Sequence, residues 1–293
     1  IFYKIKNMNT IKYFIQFLII VFFFIIYKIL GLKIASNLSS NLLKFFGPFF
    51  RSRELIEKNI LKAFPNIGSN EIDKIINNMW GNYGRILSEY VFLKDFRKSK
   101  YQDNIEIIGQ DILENIKKSK KPVIFISGHF NNFELMAMHI EKSGINLAAL
   151  YRPLNNKFLN FIMEKIRKKY ICKEQIKKGV AGTRQLLSYF KKDYSIALMV
   201  DQRVSQGPRS DFFKQGAHTT TIPAQFVKKF NCKIVPIYIE RINKINFRLT
   251  INEPISYSNN QSTGDITVAL NHIVEKMIIK NPDQWIWSHN RWK

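Results

Sequence analysis

Residues 122–136, PVIFISGHFNNFELM, constrain the fold more than any other stretch of the chain. After Pro122, Val123–Ile126 is an unbroken apolar run of β-branched and aromatic residues, the signature of a short buried strand. Ser127 and Gly128 end it, and from Asn132 onward Phe133, Leu135, Met136 and His139 open a helix. A buried strand that turns at once into a helix is the repeating unit of open α/β sheets, whose sites lie at the carboxyl ends of strands. His129 stands at that exit.

The same turn carries a candidate acid–base pair. Residues five apart do not share a helix face, where neighbours lie three or four apart. Glu134 reaches His129 only if the histidine precedes the helix and the carboxylate folds back from its first turn. A neutral imidazole backed by a carboxylate can accept a proton from a hydroxyl and persist as imidazolium, as a general base must. The bland reading is a histidine that caps a turn, and the spacing alone does not separate the two.

Further strands and helices alternate beyond it. Ile145–Tyr151 reads as a strand leading to Tyr151-Arg152-Pro153, and a helix is expected over 157–169, with Lys165, Arg167, Lys168 and Lys169 on a basic face. Residues 181–191 read as a helix, and Tyr194–Val200 as a strand ending at Asp201-Gln202, where a carboxylate is either a turn residue or part of a site. The stretch 203–221 reads as a polar loop, with Thr221 capping a helix that holds Pro223 in its first turn. Cys232–Ile239 and Phe247–Ile251 read as paired strands, and a last helix is expected over 265–279. Such alternation predicts an α/β fold with a mostly parallel central sheet flanked by helices.

The amino-terminal third differs. Tyr13–Tyr27 is interrupted only by Gln16. As a helix it spans roughly 22 Å, and extension to Leu32, with Lys28 snorkelling, approaches the ~30 Å hydrocarbon core. The residues after it lack the small side chains of a signal-peptide cleavage site, so an uncleaved membrane helix is expected. Residues 34–50, with Phe45, Phe46, Phe49 and Phe50, are expected in the membrane interface. Ser69 reads as the N-cap of a helix whose apolar stripe begins at Ile72, Ile75 and Ile76. The expected division is therefore 1–33 anchor, 34–100 amphipathic helical segment and 101–293 α/β domain.

The 293 residues carry a formal net charge of +24, which favours an anionic partner: nucleic acid, an anionic membrane surface or an acidic protein. No module combining clustered Lys and Arg with exposed aromatics is recognisable, so nucleic acid is not an expected partner. Cys172 and Cys232 form neither a disulfide framework nor a metal-ligand cluster, and no metal or cofactor is expected.

The block GHFNNFELM resembles the H-x-x-x-x-D/E motif of the bacterial lipid A biosynthesis acyltransferases of lauroyl/myristoyl type, within the wider glycerolipid acyltransferase superfamily. Four further blocks match in order: Asn59, Phe64, Pro65, Gly84, Arg85 and Glu89; Tyr151-Arg152-Pro153; the region of Asp201 with the Gly207-Pro208-Arg209-Ser210 loop and Thr219–Thr221; and the tail PDQWIWSHNRW. Phe133 and Asn290 depart from the commoner pattern.

The resemblance implies transfer of an acyl chain from acyl carrier protein to a hydroxyl of a lipid A precursor. The setting it implies is a bacterial inner membrane with an anionic surface, the catalytic domain facing the cytoplasm. His129 would be the general base and Glu134 its orienting partner. Asn132, Arg152, Arg167, Asp201, Gln202 and Arg209 would line the substrate cleft. No G-x-S-x-G elbow occurs, so direct transfer without a covalent intermediate is expected. The alternatives are another glycolipid or a lysophospholipid as acceptor or, from a different class, a basic membrane-attached nucleic-acid-binding protein.

Overall fold

The computed structural model describes residues 2–98 and 100–293, with residues 2–9 described by backbone alone. The run after Pro122 forms β2 (Ile124–Ser127), buried at all four positions. Around it lie β1 (Ile105–Ile108), β3 (Leu147–Tyr151), β4 (Glu174–Lys177), β5 (Ser195–Met199), β8 (Ile234–Asn243) and β9 (Asn246–Ile251), in the order β1-β9-β8-β2-β5-β3-β4. Every neighbouring pair is parallel except β8 and β9, which form an antiparallel hairpin. The fold is thus α/β with a mostly parallel sheet, as the alternation predicts.

The helices of this region are α5 (Gln110–Ser119), α6 (Glu134–Lys142), α7 (Lys157–Tyr170), α8 (Val180–Phe190), α9 (Ile222–Phe230) and α10 (Thr263–Lys280). α6 packs on β3 and β8, while α8 covers β3, β4 and β5. Ser262 and Asp265 close a reciprocal capping box at the start of α10. The stretch 203–221 is not a simple loop. It contains the antiparallel pair β6 (Arg209–Phe212) and β7 (Gln215–His218), turned by Phe213 and Lys214 at φ 54° and 56°. Two non-glycine residues in the left-handed region carry no sequence signal for a tight hairpin, which normally uses Asn or Gly there.

The amino-terminal helix α1 runs over Phe2–Phe46 and is broken at Gly31 by φ 76° and ψ 163°, a backbone region nearly closed to other residues. From Thr10 on it is long and apolar enough to cross a membrane. Phe14, Ile15, Leu18, Ile19, Phe22 and Ile25 are exposed. The helix is not a detached tether: Phe14 and Phe17 pack on Phe158, and the Asn156 amide donates to the Tyr13 carbonyl at 2.8 Å. Lys28 is bound to Asp95 at 2.7 Å.

Past Gly31 the helix turns inward. Leu32, Ala35, Ser36, Ser39 and Ser40 are buried, packed along α3 (Ser69–Glu89), whereas Phe45, Phe46, Phe49 and Phe50 stay exposed. The segment 34–50, expected as one interfacial stretch, is thus divided between a part packed on α3 and an exposed aromatic end. The seam is tight because small residues face each other: the Ser39 hydroxyl donates to the Gly84 carbonyl at 2.6 Å. A Cβ on Gly84 would stand 2.0 Å from the Ser39 carbonyl oxygen. Arg85 binds Ser36 and Asn37 across the same seam. Ser69 does not cap α3; Gly68 occupies the N-cap position and Ser69 is the first helical residue.

Candidate active site

β2 and β5 are parallel neighbours with Ser127 opposite Met199. Two residues beyond that pair, His129 and Asp201 leave the sheet side by side. The His129 backbone N–H donates to Asp201 Oδ2 at 2.7 Å, and its ring Nδ1 lies 2.7 Å from Asp201 Oδ1. Trp285 Nε1 donates to the same carboxylate at 2.8 Å. Asp201 is buried. Burial would raise its pKa, but the imidazole and three donors outweigh it and hold the carboxyl down to about 2. An ionised acceptor at Nδ1 fixes the proton there and leaves Nε2 with a lone pair, 3.3 Å from the Gln202 amide. Gly128 permits this approach, since a Cβ there would come within 3.1 Å of Asp201 Oδ2.

Glu134 is not the partner of His129. It begins α6, is nearly buried, and its Oε1 is taken by Arg167 Nε at 2.7 Å, Arg167 Nη2 at 2.6 Å and the Tyr90 hydroxyl. Arg167 Nη2 also donates to Tyr90 Oη at 2.9 Å. Burial would lower the arginine pKa, yet the carboxylate and Tyr90 raise it, while burial drives the Tyr90 phenol well up. Arg167 thus points inward from α7, away from the exposed Lys165, Lys168 and Lys169 with which the sequence groups it. Its Nη1 is buried with no partner among the described residues.

Three further assignments change. Asn132 is buried, donating to Glu89 Oε2 at 3.1 Å. Glu89 is itself clamped by Arg241 at 2.6 and 3.1 Å, so Asn132 secures the turn and does not face substrate. Asn131, at φ 43°, ties the same turn to Gln284 and to the Ile239 carbonyl. Asp201, expected in the cleft, lies behind His129. Arg209 is exposed at the start of β6 and does not line the cavity.

His129, Glu134, Arg152, Arg167 and Gln202 do share one cavity of about 680 Å³, within the usual range for small-molecule sites. Its wall is apolar (Phe133, Ala149, Ile171, Leu198), with Phe133 edge-on to the His129 ring at 5.0 Å. Arg152 and Lys178 add positive charge to the lining, and partial burial followed by the Arg152 charge lowers the lysine pKa. Leu154 and Val180, both exposed, form an apolar rim. A separate cavity of about 630 Å³ beside Phe64 and Asp283 holds no histidine.

Tyr90, Lys178, Trp285 and His289 are the site residues that sequence reasoning did not single out. The tail was legible as a motif without a role. Asn59 donates to the carbonyls of Trp287 and His289, and Phe64 packs on Trp287, so the Asn59–Pro65 block braces the tail against the site.

Among curated relatives, the lipid A biosynthesis lauroyltransferase of Escherichia coli is 24% identical over 83% of this chain and 79% of its own length. The palmitoleoyltransferase of the same organism is 23% identical over 84% and 80%. Acyltransferase 2 of Shigella flexneri is 22% identical over 81% and 76%. Among solved structures, the 1-acyl-sn-glycerophosphate acyltransferase of Thermotoga maritima aligns with a TM-score of 0.43 and 13% identity, over 94% of this chain and 99% of that one. The sequence profile described as bacterial lipid A biosynthesis acyltransferase matches residues 3–293, and the chain belongs to that family.

Proposed function

We propose that this protein transfers a fatty acyl group from an acyl carrier protein thioester to a hydroxyl of a lipid A precursor. It would do so at the cytoplasmic face of a bacterial inner membrane. The observation that carries the reading is the His129 ring, held at Nδ1 by an ionised, buried Asp201 and presenting Nε2 to a cavity with an apolar wall and a basic mouth. Nε2 takes the proton of the acceptor hydroxyl as its oxygen attacks the thioester carbonyl. The tetrahedral intermediate collapses, the carbon–sulfur bond breaks, and the departing thiolate takes the proton back from the imidazolium. The apolar wall suits an acyl chain. Arg152, Lys178 and the free Nη1 of Arg167 suit the acceptor's phosphate, the arginines through their planar fork of donors. Neither Cys172 nor Cys232 lines the cavity, which supports transfer without an acyl-enzyme.

Purified full-length protein would be incubated with acyl carrier protein thioesters of several chain lengths and, in separate arms, a lipid A precursor or a lysophospholipid. Products would be weighed by mass spectrometry. The expected result is a mass gain of one acyl group on the lipid A precursor, lost in His129→Ala. Acylation of the lysophospholipid alone, or full activity in His129→Ala, would overturn the reading.

A further inference from the structure

Thioester attack places negative charge on the carbonyl oxygen, and this charge needs a donor aimed at it. His129 and Gln202 line the cavity but are already engaged, with Asp201 and with His129 respectively, and the free Nη1 of Arg167 is assigned above to the acceptor's phosphate. His289 lines the same cavity. Its Nε2 accepts the backbone N–H of Arg203 at 3.0 Å. A nitrogen that accepts a hydrogen bond is unprotonated, so the neutral ring must carry its proton at Nδ1. No described residue accepts from that Nδ1–H. The backbone that carries the ring is also placed firmly: its N–H donates to the Ile286 carbonyl, and its carbonyl accepts from the Asn59 side-chain amide and from the backbone N–H of Arg291. His129 hangs on Asp201 and His289 on Arg203, two residues later in one short turn. The two imidazoles therefore line one cavity, each anchored to the same short turn.

We propose that His289 is a second catalytic residue, whose Nδ1–H donates to the thioester carbonyl oxygen as it becomes an oxyanion, opposite the base His129. The inference rests on the acyl-transfer reading above. His289 neither gains nor loses a proton: it binds the oxyanion while His129 carries the proton from hydroxyl to thiolate. Burial keeps the ring neutral by lowering its pKa to about 4, so the tautomer survives throughout the working range.

Two substitutions separate this role from a structural one. Asparagine places an amide donor near the position of Nδ1, whereas glutamine reaches the position of Nε2 and keeps the acceptor for Arg203. In full-length protein, His289→Gln should lower kcat by about 10²–10³-fold with little change in KM for the thioester, while His289→Asn should recover most of that loss. The reverse order, or two silent substitutions, would make His289 a brace for the 201–203 turn and overturn the proposal. A second measurement does not depend on turnover. Nitrogen-15 NMR of ring-labelled protein in micelles should show a neutral His289 protonated at Nδ1, and an Nε2–H tautomer would also overturn it. Failure of the function itself reads differently: wild type and His129→Ala would then be equally inactive, and the proposal would fall with the reaction.

Discussion

Two carboxylates compete for one imidazole, Glu134 five positions after His129 and Asp201 at a separation of 72 residues, and strand order decides between them. Because β5 lies beside β2, the residue that leaves β5 meets the residue that leaves β2, while the first turn of α6 turns its carboxylate to Arg167. Asp201→Asn should therefore keep the shape of the site but lose the charge that fixes the tautomer. Transfer is expected to fall by about 10²–10⁴-fold with a modest change in Tm. Glu134→Ala should act on stability first, since it leaves a buried guanidinium without its counter-charge, at a cost of about 3–5 kcal/mol. Turnover and thermal unfolding of both variants check this, and an active Asp201→Asn beside an inactive, fully stable Glu134→Ala would return the orienting role to Glu134. The sequence displays His129 and Asp201 equally well, each just past an apolar strand. Their pairing is hidden because it depends on which strands are neighbours in space. Tyr90, Trp285 and His289 were harder still to read, since they reach the site from the turn after α3 and from the tail.

At the scale of elements, most helices and strands were legible from apolar periodicity and their breaks, and the failures have local causes. The β6–β7 hairpin turns on Phe213 and Lys214, and β1 is a four-residue edge strand of mixed burial. The apolar run of α1 was plain, but its close packing on the domain depends on Gly31 and on the small-residue seam with α3. Gly84→Ala is expected to force the Ser39 backbone away and cost about 1–3 kcal/mol, read as a lowered Tm. A Cβ on the neighbouring Gly81 would meet Lys44 Cε at 2.6 Å and Ser40 Oγ at 2.8 Å, side-chain atoms and not backbone, so Gly81→Ala should cost less. Equal Tm values for the two variants would show that the helices do not meet as closely as the seam requires. Removing residues 1–32 should shift the protein from the membrane pellet towards the soluble fraction. The shift is expected to be partial, because Phe45, Phe46, Phe49 and Phe50 remain exposed. An unchanged pellet fraction would mean that α1 is not the main attachment.

At the scale of the whole molecule, a formal charge of +24 makes acid stability depend on a few groups. Lowering pH adds positive charge to a chain that already repels itself. Two histidines add a steeper loss. Burial, then Lys142, lowers the His139 pKa to about 4, and burial lowers that of His289 to about 4 against the opposing pull of Asp201. Both rings titrate near 6.5 in the unfolded chain. Between these values the unfolded state binds more protons than the native one, so stability rises with pH there. The contribution is complete above about pH 6.5 and is lost as pH falls towards 4, of order 1–3 kcal/mol for each ring. Asp201 acts lower: its contribution is complete above its usual value of 3.8 and is lost as pH falls towards about 2. His139 is the ring to test, since it lies on α6 with its Nε2 3.2 Å from Gln110 Oε1 and outside the cavity. In His139→Gln an amide can keep the contact with Gln110 but cannot titrate. Denaturant unfolding of wild type and His139→Gln in detergent at pH 7.5, 5.5 and 4.5 should show both losing stability with acid, the variant with the shallower slope. Identical slopes, or a wild type as stable at pH 4.5 as at 7.5, would show that His139 is not held neutral by the fold.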